Sequence, residues 1–208
     1  MRALVLGAGR AGEAAALDLL GFYENETAVT VADTRAERLS ELARRGSLLT
    51  RQIDLSEPRH VGDLVREFDV VVSALPARLG AGALRATIAA NRLVADASAP
   101  DAEARGLDAL AIEMEVAACV GCGKDGLARL LGWSGIELRA GREADAGVLD
   151  ARVAGLMAAA LARRLLTGDF RGHWGVWTPE RLGARAGIAH GILEDLRARG
   201  LAIAAPST

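Results

Sequence analysis

Along residues 1–120, short unbroken apolar runs alternate with stretches in which apolar positions return every three or four residues. Arg2-Ala3-Leu4-Val5-Leu6 is the first run, and it passes straight into Gly7-Ala8-Gly9-Arg10-Ala11-Gly12 and an alanine-rich helix. Residues 27–33 read as a second strand ending on Asp33. A helix over about 35–45 follows, with Leu39 and Leu42 on its apolar face and Gly46 closing it. Residues 48–53 form a third strand that ends at Asp54, and Pro58 opens a helix striped by Val61, Leu64 and Val65. Asp69–Pro76 carries a β-branched run of the kind buried on both faces of a parallel sheet. A helix over about 80–91, a fifth strand Arg92–Asp96, a helix over about 101–109 and a sixth strand near 115–120 complete the alternation. Beyond residue 123 the pattern changes. Lys124–Leu131 reads as a short helix, 135–141 as an isolated strand and Ala146–Leu166 as a long, well-buried helix. Thr178-Pro179-Glu180 starts another helix. Ile188–Arg199 stops at Gly200, before a short strand at 201–204. Trp174 and Trp177, between helices, read as packing anchors.

Strands and helices that alternate with short connections predict an α/β fold. Its core is a doubly wound parallel Rossmann sheet of order 3-2-1-4-5-6, with a helical C-terminal segment packed on it. The expected division is a dinucleotide-binding unit over 1–131 and a second unit over 132–208. In such a sheet the ligand crevice lies at the carboxyl ends of the strands, between the first and the fourth.

The glycine triplet gives this crevice its chemistry. Gly7 permits the tight turn, Gly9 lets the backbone approach a pyrophosphate, and Gly12 lets the helix pack on the sheet, so that its free N–H groups face the phosphates. Arg10 and Ala11 lie in the same turn. Asp33 stands where a carboxylate accepts from the adenosine ribose hydroxyls, which favours NAD. Arg35, two residues on, could pair with a 2′-phosphate and so keeps NADP possible. Asp54, Ser73, Ala74, Leu75, Pro76 and Ser98 fall at the same edge and complete the cofactor-binding set. Asp54 and Asp96 read equally well as caps of the turns that follow them. Near the expected nicotinamide, Arg78 could clamp a substrate carboxylate through its fork of donors. Lys124 could donate a proton to a nascent amine, and Cys122 lies alongside. Solvated surface charge is the plainer reading of Arg78 and Lys124.

Composition excludes several classes. A net charge of −2 and a pI near 6.0 leave no excess of positive charge for nucleic acid. Lys124 is the only lysine. The run Val153–Ala162, bounded by Arg152 and Arg163, is too short to span a bilayer. The N-terminal apolar stretch ends in a glycine turn and Arg10, unlike a signal peptide, so a cytoplasmic location is expected. The only two cysteines, Cys119 and Cys122, lack partner ligands at zinc spacing and read as structural thiols, so no metal is expected.

Leu4–Gly9, Val29–Asp33, Asp69–Pro76 and Val120-Gly121-Cys122-Gly123 resemble the saccharopine dehydrogenase-like reductases. Gly175–Glu180 and Leu193–Leu201 are similar to that family's closing helices. The resemblance implies a nicotinamide-binding Rossmann domain joined to a substrate domain on a large mixed sheet. It further implies oxidation or reduction at imine and amine carbons of amino-acid-derived small molecules. Two departures fall on the substrate side. Residues 136–141 resemble the first strand of the family's substrate domain, yet the returning helix follows almost at once. In addition, Lys124-Asp125-Gly126-Leu127-Ala128 stands where members often carry Pro-Gly and a polar residue. A non-catalytic dinucleotide-binding module is therefore the alternative to an oxidoreductase. Without most of a substrate domain, the strand at 136–140 and the apolar faces of the Ala146–Leu166 helix would be uncovered. A homodimer is expected to cover them.

Overall fold

The computed structural model describes residues 1–22, 28–98, 100–139, 145–185 and 187–206. Thr27, which opens one expected strand, and Ala140 and Gly141, which close another, lie outside the described residues. The first half runs β1 (Arg2–Leu6), α1 (Arg10–Phe22), β2 (Ala28–Asp33), α2 (Ala36–Ala43), β3 (Leu49–Gln52), α3 (Pro58–Val65), β4 (Val70–Ser73), α4 (Ala77–Ala89) and β5 (Leu93–Asp96). It continues through α5 (Asp101–Arg105), α6 (Asp108–Glu113), β6 (Ala117–Cys119), α7 (Lys124–Leu131), β7 (Glu137–Arg139) and α8 (Ala146–Thr167). The chain closes with β8 (Gly175–Trp177), α9 (Pro179–Gly183), α10 (Ile188–Ala198) and β9 (Ala202–Ala204). The single helix expected over about 101–109 is two short ones, the first capped at Gly106.

Seven strands form one parallel sheet in the order β3-β2-β1-β4-β5-β6-β8. The expected order is present, extended by β8. Side chains alternate across the sheet because successive residues of a strand point to opposite faces. Ala3, Val5, Val70 and Val72 join the core beneath α1, α2 and α8. Leu4, Leu6, Val71 and Val94 join the core beneath α3 and α4.

β8 was not apparent in the sequence. Three residues beginning at a glycine with φ +113° are too few to show a strand's alternation. Its outer edge is blunted by side chains. The Val176 N–H donates to Asp108 Oδ1 at 2.7 Å, and Arg181 Nη1 donates to the Val176 carbonyl at 2.9 Å. An exposed parallel edge would otherwise recruit another strand. Trp177 is buried edge-to-face against Phe170 at 5.2 Å, with Arg181 over its ring at 4.2 Å, as suits a packing anchor.

α8 lies on α1 and reaches β4 and β5. Its backbone approaches α1 so closely that a methyl group at Gly155 would overlap the carbonyl oxygen of Ala11. At the far end, Asp18 of α1 is buried and accepts from Arg163 of α8 and from Arg199 Nε, just past α10, at 2.5 Å. This geometry removes one premise for a dimer, since most of the apolar surface of α8 is buried against the chain's own α1, β4, β5 and α10. The other premise changes too: β7 pairs antiparallel with β9, so the strand expected to be bare has a neighbour on one side. No helix among the described residues is long and apolar enough to cross a membrane.

The Gly155 contact makes a direct prediction. Gly155→Ala should destabilise the fold by about 1–3 kcal/mol through overpacking. Gly21→Ala, at a helix position where a methyl group meets nothing, should stabilise it by up to about 1 kcal/mol through helix propensity. Urea unfolding of the two variants measures both.

Candidate dinucleotide site

β1 ends where its two neighbours fix the turn that follows. The Gly7 N–H donates to the Ala32 carbonyl at 2.8 Å, and the Ala74 N–H donates to the Leu6 carbonyl at 2.9 Å. Gly7 has φ +98°, and a Cβ there would lie 2.7 Å from the Ala74 carbonyl oxygen. A Cβ on Gly12 would overlap the Gly7 oxygen, so this glycine is what seats α1 against the loop. At Gly9, by contrast, a Cβ would meet no protein atom, which leaves the open approach that a pyrophosphate needs.

A groove of about 620 Å³ opens over this turn. Gly7, Gly9, Arg10 and Ala11 form its floor, and Asp33 and Arg35 stand at one end with Asp54. Ala74, Leu75, Pro76 and Arg78 line it beyond β4. The sequence missed Thr34, Leu55, Ser56 and Leu79, which are chain neighbours of expected residues. It also missed Gly147 and Ala151 of α8, for which no local signal exists because tertiary packing brings them there. Arg10 and Arg78 form no ion pair or hydrogen bond among the described residues, so both guanidiniums are free for an anion.

Asp33 is nearly saturated before any ligand arrives. Its Oδ2 accepts the Ala8 N–H at 2.6 Å and Arg35 Nη2 at 3.2 Å. Its Oδ1 accepts the Arg35 N–H at 2.9 Å and Arg35 Nε at 3.1 Å. Burial alone would raise the pKa of this carboxyl. The hydrogen bonds from Arg35 and Ala8, with the Arg35 charge, outweigh it and hold the group below its ordinary value of 3.8. Asp33 is thus an anion that shapes the glycine loop as well as a candidate ribose acceptor. Asp54 does both things its position allowed: Oδ1 accepts the Ser56 N–H at 2.9 Å to close a turn, and the residue lines the groove.

Four expected residues, Ser73, Ser98, Cys122 and Lys124, sit elsewhere. Ser73 and Ser98 are buried beneath the groove with their hydroxyls 2.7 Å apart, and Ser98 Oγ donates to Asp96 Oδ1 at 2.7 Å. They brace β4 and β5 and do not line the groove. The Cys122 thiol is buried, burial pushes its pKa well above the usual 9.0, and the residue lines a separate cavity together with Lys124. No group of three metal-ligating side chains occurs among the described residues.

Lys124 lies apart from the groove, at a second glycine turn. Gly121, Gly123 and Gly126 repeat the spacing of Gly7, Gly9 and Gly12, again between a strand (β6) and a helix (α7). Gly121 has φ +72°, and a Cβ on Gly126 would overlap the Gly121 oxygen just as in the first turn. The repeated spacing is legible in the sequence itself. A cavity of about 410 Å³ opens there, with Lys124 and Asp150 on its walls. Neither side chain has an ion-pair or hydrogen-bond partner among the described residues.

A parallel sheet of this order, with a glycine cradle and an acidic residue after β2, defines a dinucleotide-binding Rossmann domain. The chain belongs to the family of the saccharopine dehydrogenase NADP binding domain, whose model matches residues 3–118. Its cofactor is a nicotinamide dinucleotide, and the open cradle at Gly9, the free Arg10 and the anionic Asp33 fit that group. No curated protein matches the chain. Among solved structures it is similar to apo saccharopine dehydrogenase (L-Glu forming) from Saccharomyces cerevisiae, at 19% identity and TM-score 0.54. That match covers 67% of this chain and 33% of the yeast enzyme, so the chain spans about a third of its length. It is also similar to GenD2 from gentamicin A biosynthesis in complex with NAD, at 22% identity and TM-score 0.48, covering 80% and 53% of the two chains. At 19% identity the yeast enzyme shares with this chain the fold alone.

Gly9→Val should change stability by no more than about 1 kcal/mol, because a Cβ there meets no atom of the described residues, and should weaken dinucleotide binding at least about a hundredfold, or about 2.8 kcal/mol. Isothermal titration with NAD and NADP, alongside thermal melting, checks both halves.

Proposed function

We propose that the chain works as a nicotinamide-dependent oxidoreductase on the imine or amine carbon of an amino-acid-derived small molecule. The observation that carries this reading is the pairing of two sites on one sheet edge. The groove after β1 and β4 presents free guanidiniums suited to phosphates. Two strands further along, roughly 10 Å away, the walls of the cavity after β6 carry an ammonium, Lys124, and a carboxylate, Asp150, neither paired among the described residues. A cation and an anion on the walls of one cavity suit an amine nitrogen and its proton, with Asp150 taking a substrate ammonium and Lys124 exchanging the proton.

When bound, the dinucleotide supplies or accepts the hydride. This chain's own part is binding and orientation. Gly7–Gly12 and Arg10 hold the pyrophosphate, Asp33 and Arg35 take the adenosine ribose, and Leu75 and Pro76 offer an apolar seat beside β4. Arg78 steers a substrate carboxylate toward that seat. Lys124 passes a proton to the nascent amine nitrogen in reduction and takes it back in oxidation.

A non-catalytic dinucleotide-binding module is the second reading. What favours it is the direct passage from β7 through residues 140–145 into α8, where the resemblance would place a substrate domain. Following reduced-nicotinamide absorbance with a panel of 2-keto acids plus ammonia, and of amino acids with oxidised cofactor, separates the two. Turnover that falls at least about tenfold in Lys124→Gln, with dinucleotide affinity kept, supports the oxidoreductase. Tight cofactor binding with no turnover supports the module.

Cofactor choice follows from the Asp33–Arg35 pair. Arg35 offsets the repulsion between Asp33 and a 2′-phosphate, so the preference for NAD should be modest. Asp33→Ser should move it toward NADP, and Arg35→Ala should weaken NADP by about 10–100-fold, the loss of one charge-assisted contact. Competition titration reads both.

A further inference from the structure

Beside the dinucleotide groove, on the outer face of α1, lies a second cavity of about 640 Å³ that the proposed chemistry does not use. Its bed is apolar: Ala14 and Leu17 from α1, Val148 and Leu156 from α8. Its rim carries four arginines and two acids. The two acids are already satisfied, Glu13 by Arg45 and Arg38 and Asp18 by Arg163 and Arg199. Two cations are left uncompensated. Among the described residues Arg10 has no partner, and Arg152 donates only to the Arg199 carbonyl, at 2.7 Å.

We infer that this cavity is a second small-molecule site, built for a carboxylate carried on a hydrocarbon body. The carboxylate lies between Arg10 and Arg152, and the hydrocarbon covers Leu17, Val148 and Leu156. The volume falls in the range of small-ligand sites, and an apolar bed with a few convergent polar groups is their usual make-up. A bare anion would leave the bed wet, and a neutral hydrocarbon would leave the two guanidiniums unanswered.

The cavity is also wired to the groove. Arg10 borders both, and the first turns of α8 form the wall between them. Gly147 and Ala151 face the dinucleotide groove, while Val148 and Arg152 face this cavity. A pyrophosphate and a carboxylate therefore draw on the same guanidinium. Each ligand weakens the other by the same factor, as linkage requires. This coupling rests on the dinucleotide reading, whereas the site itself does not.

Calorimetric titration of the full chain with butyrate, hexanoate and octanoate tests the site, with inorganic phosphate as the bare-anion control. The expected result is affinity rising roughly two- to fourfold per methylene buried, and hexanoate binding at least about tenfold weaker in Arg152→Gln. Leu17→Gln, on a half-exposed helix position, should flatten the chain-length series and leave phosphate unchanged. Saturating NAD should weaken hexanoate several-fold, and hexanoate should weaken NAD equally. Phosphate binding as tightly as octanoate, or all three acids binding Arg152→Gln as they bind the wild type, would overturn the site. Hexanoate affinity indifferent to NAD, in a protein shown to bind NAD, would overturn the coupling through Arg10.

Discussion

The contact on which this molecule turns is the seating of α8 against the backbone of α1. A dinucleotide cradle works only if the helix behind the glycine loop holds its N-terminus still. Gly12 fixes that helix from within, by letting it press on the loop carbonyl of Gly7. Gly155 fixes it from without, by bringing α8 onto Ala11 in the same first turn. Neither glycine tolerates a methyl group, so α1 is held on two sides by backbone rather than by adaptable side chains. Interiors packed this closely transmit displacement rather than absorb it. The position of α8 therefore bears on the phosphate cradle although it never enters the motif.

Electrostatics finishes what packing begins. Asp18 is a buried carboxylate, and such a group is costly unless its partners are well placed. Arg163 and Arg199 supply them, and Arg164 and Asp195 extend the cluster at 2.7 Å. The cluster ties α1, α8 and α10 together at the end opposite the groove, where its value is geometric: removing one partner would strand a buried charge. At the groove end the charges are left open. Arg10, Arg78, Lys124 and Asp150 line cavities without partners among the described residues, and that contrast separates the structural ions from those available to ligands.

The nucleotide half was legible because its signals are local. Strand, glycine triplet, helix, second strand and terminal Asp33 occupy one continuous stretch, and each residue's role follows from its immediate neighbours. What the sequence hid has one cause, which is that it depends on residues distant in the chain. Gly147 and Ala151 reach the groove only because α8 docks on α1. Ser73 and Ser98 look like groove residues by their place at strand ends, yet their hydroxyls turn to one another and to Asp96. β8 is too short to show any period and is defined by its pairing with β6. The second glycine triplet is a different kind of miss, since its spacing lies in plain view and was masked by the cysteines beside it.

The route by which β8 reaches its place shapes how the chain comes to be folded. Its partner β6 ends at Cys119, and β8 begins only at Gly175, after α7, β7 and the whole of α8. During synthesis the first six strands can assemble while the β6 edge remains unpaired. It stays so until a distant segment arrives, bringing Arg181 with it and meeting Asp108 of α6, to close the sheet. Pairings of such long sequence separation are slow to form, and an open parallel edge invites association with other chains meanwhile. The last strand added to the sheet thus sets the interval during which a nascent chain is exposed to misassembly, and its two edge-capping side chains end that interval.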